Sequence, residues 1–277
     1  MFGKLVPVPS GAVIPERDIG KRPILNCINL GVTFGGLKAV DDFNLMIGRT
    51  EIAGLIGPNG AGKTTVFNLL TKVYQPTHGT ILLDGQDTHN MTTAQVNRAG
   101  IARTFQNIRL FSALTVFENV LIAKHMRARQ NVFSAAFRLN RAEEKRMREE
   151  AMSLLEEQNL AHLKDEVAGS LPYGLQRHLE IARALATAPK LLLLDEPAAG
   201  MNPQETQELT DFIKQIRGEY DLTIFMIEHH MDLVMQISER IYVLDFGRLI
   251  AQGTPEAVQN DPRVIEAYLG VADDAED

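Results

Sequence analysis

The sequence predicts an α/β protein in which helices flank a parallel sheet. Apolar runs as long as buried strands alternate with helical periodicity, as in EIAGLIG, a glycine-rich turn and then TTVFNLLTKVY. The alternation returns later, where LLLLDEP, a helical stretch from Pro203 to about Glu219 and TIFMIEHH follow one another. Strands and helices that alternate in this way are typical of a parallel sheet covered by helices.

Composition indicates a soluble globular protein with a sizeable core. The chain has 277 residues, of which 45% are hydrophobic and 23% charged. A net charge of −7 argues against a general nucleic-acid coat, so no nucleic-acid partner is expected. The single cysteine, Cys27, excludes a disulfide framework and a Cys-based zinc site. No stretch approaches the roughly 18 to 20 apolar residues of a spanning helix, so a membrane role is expected to be peripheral.

Both ends of the chain differ from the middle. Residues 1–23 predict a flexible tail, because proline recurs at Pro7, Pro9 and Pro15 without a lasting period. The same prolines leave no uninterrupted apolar segment for a signal peptide. The final residues 271–277, VADDAED, predict an acidic tail after a short helix from Pro262 to Leu269. The folded domain is therefore expected to span residues 24–270.

Between these tails, two further regions are predicted. β-Branched alternation over residues 24–47, with a turn at Phe34-Gly35-Gly36, and the strand pair around ILLDG predict an antiparallel β subdomain. From about Gln95 the period is mostly helical until about Ala188, so a helical subdomain is expected between residues 94 and 188.

A basic segment lies inside the helical region. Residues 124–150 hold eight Lys or Arg against four Asp or Glu. Glu144 and Arg148 stand four residues apart, and Met147, Ala151, Leu154 and Leu155 form an apolar stripe, which is typical of a solvated amphipathic helix. A contact surface for a partner or for anionic lipid headgroups is the alternative.

The strongest chemical motif is the sequence GPNGAGKT, which matches G-x-x-x-x-G-K-[ST] between a predicted strand and a predicted helix. Its glycines allow consecutive backbone N–H groups to surround phosphates, and the following helix adds its positive dipole end. Lys63 would supply a charge to the β- and γ-phosphates and Thr64 a hydroxyl to Mg²⁺. The predicted nucleotide-binding residues here are Gly57, Pro58, Asn59, Gly60, Ala61, Gly62, Lys63, Thr64 and Thr65.

A second motif places two carboxylates after four leucines. Asp195 and Glu196 stand at the carboxyl end of a predicted buried strand, where open α/β sheets bind their ligands. Asp195 suits a Mg²⁺ ligand, which leaves Glu196 to orient and polarise the water that attacks the γ-phosphate. The chain contains no Asn-Lys pair, so the guanine-reading N-K-x-D motif is absent and a GTPase is unsupported.

These motifs, taken in order, resemble an ATP-binding cassette (ABC) ATPase. The resemblance rests on residues 57–64, Gln106 in RTFQ, SLPYGLQR before LEIARAL, the acidic pair and His229 in IEHH. It implies a P-loop NTPase core with a parallel sheet, an antiparallel β subdomain and an inserted helical subdomain, which uses ATP and Mg²⁺.

The resemblance also implies residue roles. Phe34 would stack on adenine, although a core or turn phenylalanine is the alternative. Gln106 would sense Mg²⁺ and the γ-phosphate, and His229 would contact the γ-phosphate. The signature residues Leu171, Pro172, Tyr173 and Gly174 would close a neighbour's nucleotide site.

Within that family the chain resembles the ATPases of branched-chain amino acid importers. The segments FGGLKAV, ARTFQNIRLF, LDEPAAGMNP and VIEAYLG carry this resemblance. It implies a second, usually different, ATPase subunit packed head to tail, two membrane permeases and an extracytoplasmic binding protein for leucine, isoleucine or valine. The chain would lie at the cytoplasmic face of the membrane, and another amino acid or a small amide is the alternative cargo.

Two positions depart from the family pattern. Pro172 stands where a signature serine is usual, which removes the hydroxyl expected to reach a γ-phosphate. Proline suits the first helical position, so the helix and its dipole are expected to survive. His230 stands where an acid is common.

Two other classes of ABC protein compete with the transporter interpretation. A soluble ABC protein acting on ribosomes or DNA usually has tandem cassettes or a long coiled coil. A subunit that binds ATP without hydrolysing it is disfavoured by Glu196 and His229.

Overall fold

The computed structural model describes residues 22–126 and 141–273. The described chain divides into two compact units. The first contains the residues up to Ile101 and those from Lys190 onward, and the second is Ala102–Pro189. Of the predicted amino-terminal tail only Arg22 and Pro23 are described. The basic residues between 127 and 140 also lie outside the described residues.

The strands are numbered in chain order. They are β1 (Leu25–Phe34), β2 (Leu37–Ile47), β3 (Ile52–Ile56), β4 (His78–Leu83), β5 (Gln86–Asp87), β6 (Ile101–Arg103), β7 (Leu191–Asp195), β8 (Thr223–Ile227), β9 (Arg240–Asp245) and β10 (Arg248–Gly253).

The helices are numbered in the same way. They are α1 (Lys63–Leu70), α2 (Thr93–Ala99), α3 (Val116–His125), α4 (Arg141–Glu157), α5 (Tyr173–Leu185), α6 (Pro203–Glu219), α7 (Met231–Ile237), α8 (Pro255–Gln259) and α9 (Pro262–Asp273).

An antiparallel sheet in the order β2-β1-β4-β5 forms part of the first unit. Phe34 pairs with Leu37 across the β1–β2 hairpin. The two residues between them, Gly35 and Gly36, have positive φ angles of 53° and 93°. Such a two-residue loop needs left-handed backbone at both positions, which glycine adopts without steric cost. The predicted turn at residues 34–36 is therefore a tight β-hairpin.

A second sheet has the order β10-β9-β3-β8-β7-β6. β7, β8, β3 and β9 pair in parallel, whereas β10 is antiparallel to β9. Every residue of β3, β7 and β8 is buried, as expected for parallel strands that are covered on both faces. Because parallel strands share one direction, β3, β7 and β8 bring the sequence motifs that follow them to one edge of this sheet.

Aromatic side chains connect a helix and two strands in the core of the first unit. Phe67 of α1 packs against Phe225 of β8 with ring centroids 5.2 Å apart. Phe225 also contacts Tyr242 of β9 edge to face. These contacts join α1, which begins with Lys63, to the middle of the parallel sheet.

The second unit is mainly helical. Helix α3 begins with a capping box, in which Thr115 and Glu118 satisfy each other's backbone N–H groups. Helix α4 buries the apolar stripe anticipated from the sequence, Met147, Ala151, Leu154 and Leu155. On its solvent side Arg148 donates to Glu144 over 3.0 Å, as the spacing of four residues predicts. The described part of α4 is therefore an amphipathic helix.

Two predicted boundaries differ from the structure. The helical insert was expected from residue 94, but α2 lies in the first unit because its Val96 is buried in that unit's core, and β6 follows it. The acidic tail was expected from residue 271, but α9 continues to Asp273. One internal glycine costs a helix only about 1 kcal/mol, so Gly270 does not end α9. Within the described ranges, no helix has both the length and the apolar character needed to cross a bilayer.

Candidate nucleotide site

The phosphate-binding loop joins β3 to α1, as the sequence predicts. Gly57, Gly60 and Gly62 have φ angles of 152°, 80° and 104°, all on the positive side. A Cβ atom at Gly57 would lie 2.0 Å from the carbonyl oxygen of Leu244, and one at Gly62 would lie 2.7 Å from that of Ala39. Glycine is thus required at both ends of the loop by backbone conformation and by close packing.

Lys63 lies inside this loop and is only 6% exposed. Its Nζ donates to the carbonyl oxygens of Gly57 and Pro58 over 2.7 Å and 2.8 Å. Burial lowers the pKa of the Lys63 ammonium, while the Glu196 carboxylate acts in the opposite direction. Lys63 and Glu196 therefore act on each other electrostatically within the first unit.

Two segments that are distant in sequence contact the phosphate-binding loop. The backbone N–H of Gly247, in the β9–β10 turn, donates to the carbonyl oxygen of Ala61 over 2.9 Å. Burial raises the pKa of the Tyr268 hydroxyl to about 12, and a hydrogen bond from the backbone of Gly57 offsets part of this rise. Tyr268 belongs to α9, so the last described helix reaches the first glycine of the loop. No local sequence pattern links these two residues.

Of the predicted metal-binding residues, Thr64 and Asp195 lie in the first unit and Gln106 lies in the second. Thr64 is exposed in the first turn of α1, beside the half-buried Thr65, and Asp195 is buried at the end of β7. A hydroxyl and a carboxylate suit Mg²⁺, which keeps waters and phosphate oxygens as its other ligands. The described residues contain no group of three or more His, Cys, Asp or Glu that could hold a metal by themselves. The donor set therefore fits an ion that is bound together with a nucleotide.

Glu196 and His229 form a pair at the carboxyl edge of the parallel sheet. His229 Nε2 lies 2.8 Å from Glu196 Oε1, and because a carboxylate only accepts, Nε2 carries the proton. Glu196 has a left-handed backbone with φ 48°. Such a conformation costs roughly 1 to 3 kcal/mol in a residue other than glycine and needs surroundings that hold it in place. The structure thus brings together two side chains that stand 33 positions apart.

Glu228 is a further acidic residue that sequence analysis did not single out. It is 2% exposed and follows β8 directly. One of its oxygens accepts from the backbone N–H of Ala198, and the other accepts from those of His229 and His230. The His230 ring also donates to it, through Nδ1 over 3.1 Å, which gives that unusual histidine a structural partner. The available sequence signal was a carboxylate directly after the strand TIFMI, which is apolar from its second residue on.

Phe34 lies at the end of β1 and is 43% exposed. Tyr74 contacts it edge to face, with ring centroids 5.1 Å apart and planes at 70°. Phe34 is therefore not a core phenylalanine, and its place beside the Gly35-Gly36 turn is compatible with the turn alternative as well as with stacking. Tyr74, 40 positions further on, was not anticipated from the sequence.

In the second unit, the segment that carries Gln106 is attached to helix α5. The guanidinium of Arg177 donates to the carbonyl oxygens of Phe105 and Gln106 over 2.7 Å and 2.8 Å. Arg177 also pairs with Glu180, and both side chains are almost fully buried. Glu180 in turn accepts from the backbone N–H of Arg109. This buried ion pair, which sequence analysis missed, fixes residues 105–109 to the helix that follows the signature residues.

The signature residues surround the start of α5. Leu171 is buried, Pro172 is the N-cap residue, and Tyr173 and Gly174 open the helix. The expectation that Pro172 occupies the first helical position is wrong by one residue, because Pro172 has a non-helical ψ of 151° and Tyr173 is the first residue of the helix. Pro172 makes no side-chain cap, although its carbonyl oxygen accepts from the N–H of Gln176 over 3.0 Å. The helix therefore forms without the cap that a serine provides.

The fold and the phosphate loop define a P-loop nucleoside triphosphatase. A family model described as "ABC transporter" matches residues 40–199, more than half of the chain. A second, described as "Branched-chain amino acid ATP-binding cassette transporter", matches residues 248–274. The chain belongs to the ATP-binding cassette transporter family, it binds nucleotide, and its enzymatic activity is ATP hydrolysis.

Curated relatives can be aligned with this chain over nearly their whole length. The high-affinity branched-chain amino acid transport ATP-binding protein BraF of Pseudomonas aeruginosa is 47% identical, over 91% of this chain and 99% of the relative. The protein LivG of Escherichia coli, with the same description, is 48% identical with the same coverage. The lipopolysaccharide export system ATP-binding protein LptB of Haemophilus influenzae is 35% identical, over 89% of this chain and 97% of the relative.

A solved structure gives the same fold. It is the ADP conformation of an ATP-binding cassette of an ABC transporter, with a TM-score of 0.79 and 32% identity. The match covers 90% of this chain and all of the other. The predicted fold class is confirmed.

Proposed function

We propose that this chain is the ATP-hydrolysing subunit of an importer that takes up leucine, isoleucine and valine. The observation that carries the proposal is the 47–48% identity to BraF and LivG over 91% of the chain. The carboxyl-terminal match at residues 248–274 supports it independently of the nucleotide motifs. LptB, named for another cargo, is less similar at 35% identity.

In the proposed reaction, water attacks the γ-phosphate in line. Lys63 stabilises the β- and γ-phosphates, and Glu196 orients the attacking water. The proton on His229 Nε2 holds one Glu196 oxygen in place, and His229 also lies at the edge where the γ-phosphate would be bound. The adenine ring stacks on Phe34.

Thr64 and Asp195 are the residues proposed to hold Mg²⁺, with Gln106 as a further sensor of the ion. Bound there, the ion would neutralise charge that develops on the β- and γ-phosphate oxygens. The hydroxyl and the carboxylate are hard oxygen donors, which supports this assignment.

The proposed assembly contains two ATPase subunits packed head to tail, two permeases and an extracytoplasmic binding protein. Membership of the ABC transporter family implies permease partners, and therefore a place at the cytoplasmic face of the membrane. A site completed by the partner's signature residues would couple closure of the dimer to the permeases.

Reconstitution in liposomes tests the cargo. The chain is combined with the permeases, the second ATPase and the binding protein of the proposed assembly, and uptake of labelled leucine, isoleucine, valine and glutamine is measured. ATP-dependent uptake of the first three, each competing with the others, is expected. Uptake of glutamine alone would contradict the cargo and leave the ATPase assignment intact.

A further inference from the structure

We infer that Glu228 is a positioning residue that fixes the geometry of the Glu196–His229 pair. The inference rests on the proposed roles of those two residues. Glu228 itself is buried behind them and is not a catalytic residue.

The contacts of Glu228 divide between two loops. Oε1 accepts from the N–H of Ala198 over 2.8 Å, in the loop after β7. Oε2 accepts from the N–H groups of His229 and His230 over 2.8 Å and 3.1 Å, in the loop after β8. Among the described residues, every hydrogen bond of this carboxylate goes to one of these two loops.

The first loop carries Glu196. Its residue Ala198 stands two positions after Glu196, and the N–H of Ala199 donates back to the Glu196 carbonyl oxygen over 3.2 Å. The left-handed backbone of Glu196 persists only if its surroundings hold it there. Glu228 supplies such a constraint, because it fixes the residue immediately before Ala199.

The second loop carries His229, whose backbone N–H is bonded directly to Glu228. One carboxylate thus anchors the backbone on both sides of the 2.8 Å bond between His229 Nε2 and Glu196 Oε1. Both oxygens serve only as acceptors, so a neutral amide cannot replace the carboxylate. The NH₂ group of glutamine would face at least one backbone N–H.

The matched control is Glu51. It is also a buried carboxylate of the first unit, and it accepts from the N–H of Gly48 and from Arg240. Glu51 directly precedes β3, so it lies at the opposite edge of the parallel sheet from the motifs that follow β3, β7 and β8. Glu51→Gln therefore disturbs the hydrogen bonds of another buried carboxylate, away from the edge that carries the site.

The experiment compares Glu228→Gln, Glu228→Asp and Glu51→Gln in the transporter reconstituted with its permeases and second ATPase. For Glu228→Gln we expect kcat to fall on the order of ten- to a hundredfold, because small misplacements of reacting groups have costs of this size. The KM for ATP, and nucleotide binding by the isolated full chain, should stay within about twofold of wild type. Glu228→Asp should give an intermediate kcat, whereas Glu51→Gln should lower thermal stability and leave kcat unchanged.

A double-mutant cycle with His229→Ala separates positioning from general destabilisation. If Glu228 acts through the pair, Glu228→Gln should cost much less in the His229→Ala background than in wild type. Equal costs in both backgrounds, or a wild-type kcat for Glu228→Gln, would overturn the inference. If Glu228→Gln binds no nucleotide, the test rests on Glu228→Asp. A wild-type kcat for Glu228→Asp would then overturn the inference.

Measuring Glu196→Gln in the same assay separates failure of the positioning inference from failure of the proposed catalytic site. If Glu196→Gln loses activity while the Glu228 variants do not, only the positioning inference is wrong. If Glu196→Gln itself turns over at the wild-type rate, the proposed catalytic role fails first.

Discussion

Single residues of the nucleotide site combine burial with charge. Lys63 is buried among loop carbonyl oxygens, and Glu196 is held in a left-handed conformation. The two act on different stages of the reaction, because Lys63 would contact the phosphates of the bound ground state and Glu196 would act on the attacking water. Their substitutions should therefore affect different measurements.

Lys63→Ala and Glu196→Gln test this division. We expect Lys63→Ala to weaken ATP binding at least about tenfold, since a charge-assisted contact to phosphate is lost. Glu196→Gln should bind ATP normally and hydrolyse it on the order of a hundredfold more slowly. Nucleotide titration and steady-state hydrolysis by the assembled transporter measure the two effects. Wild-type turnover by Glu196→Gln would show that another group activates the water.

At the scale of elements, helix α5 lacks a side-chain cap at its N-terminus but contains a buried ion pair. Pro172 offers no side-chain cap, whereas Arg177 and Glu180 form a buried pair that also bonds residues 105–109. A buried ion pair need not add stability over an apolar pair, but breaking it leaves an uncompensated charge. The helix and the Gln106 segment should therefore depend strongly on Arg177.

Arg177→Ala should lower the free energy of unfolding by about 3 to 5 kcal/mol, because the buried Glu180 carboxylate loses its paired guanidinium. Lys145→Ala is the control, since Lys145 and Glu149 are both exposed on α4. Its expected cost is below about 0.5 kcal/mol. Urea unfolding of both variants gives the comparison. Similar costs for the two would mean that the buried pair is replaceable by water or by a local rearrangement.

Pro172→Ser tests whether the two sites of a head-to-tail heterodimer are unequal. The signature of this chain would close the partner's nucleotide site, so the missing hydroxyl affects that site. Losing one charge-assisted hydrogen bond is worth roughly 1.5 to 3 kcal/mol, or about ten- to a hundredfold in rate. We therefore expect Pro172→Ser to raise turnover at the partner's site.

Catalytic-glutamate substitutions made separately in each subunit complete the test. Glu196→Gln should cost more activity than the equivalent change in the partner. Equal losses, together with no effect of Pro172→Ser, would mean that backbone N–H groups and the dipole of α5 suffice.

At the scale of the whole molecule, the chain is one part of a composite enzyme in the proposed assembly. In that assembly each complete site would need signature residues from a neighbour, so the isolated chain would contain the binding loop and the proposed catalytic pair without a completed site. Association should therefore control turnover more than it controls binding.

The isolated chain should bind ATP with Mg²⁺ and hydrolyse it slowly. Hydrolysis should rise by at least about tenfold when the permeases and the second ATPase are added, because signature residues then reach the γ-phosphate. Steady-state hydrolysis against protein concentration, with the oligomeric state measured in parallel, provides the test. Rapid turnover by a demonstrably monomeric sample is the result that would refute composite sites.

The amino-acid sequence by itself determined the fold class and the phosphate loop. Residues 57–64 are contiguous, and their glycine pattern sets the backbone that binds phosphate, so local sequence suffices. Buried apolar runs likewise predicted β3, β7 and β8, because parallel strands covered on both faces are continuously hydrophobic.

Only the tertiary structure decided which distant groups meet. Glu228 and Ala198 are 30 positions apart, and Arg177 and Phe105 are 72 apart, so nothing in the local pattern links them. The contact of Tyr268 with Gly57 depends in the same way on where α9 packs. Sequence spacing fixes backbone conformation over a few residues, whereas these contacts arise from strand order and packing, which bring remote segments to one edge of a sheet or to one helix.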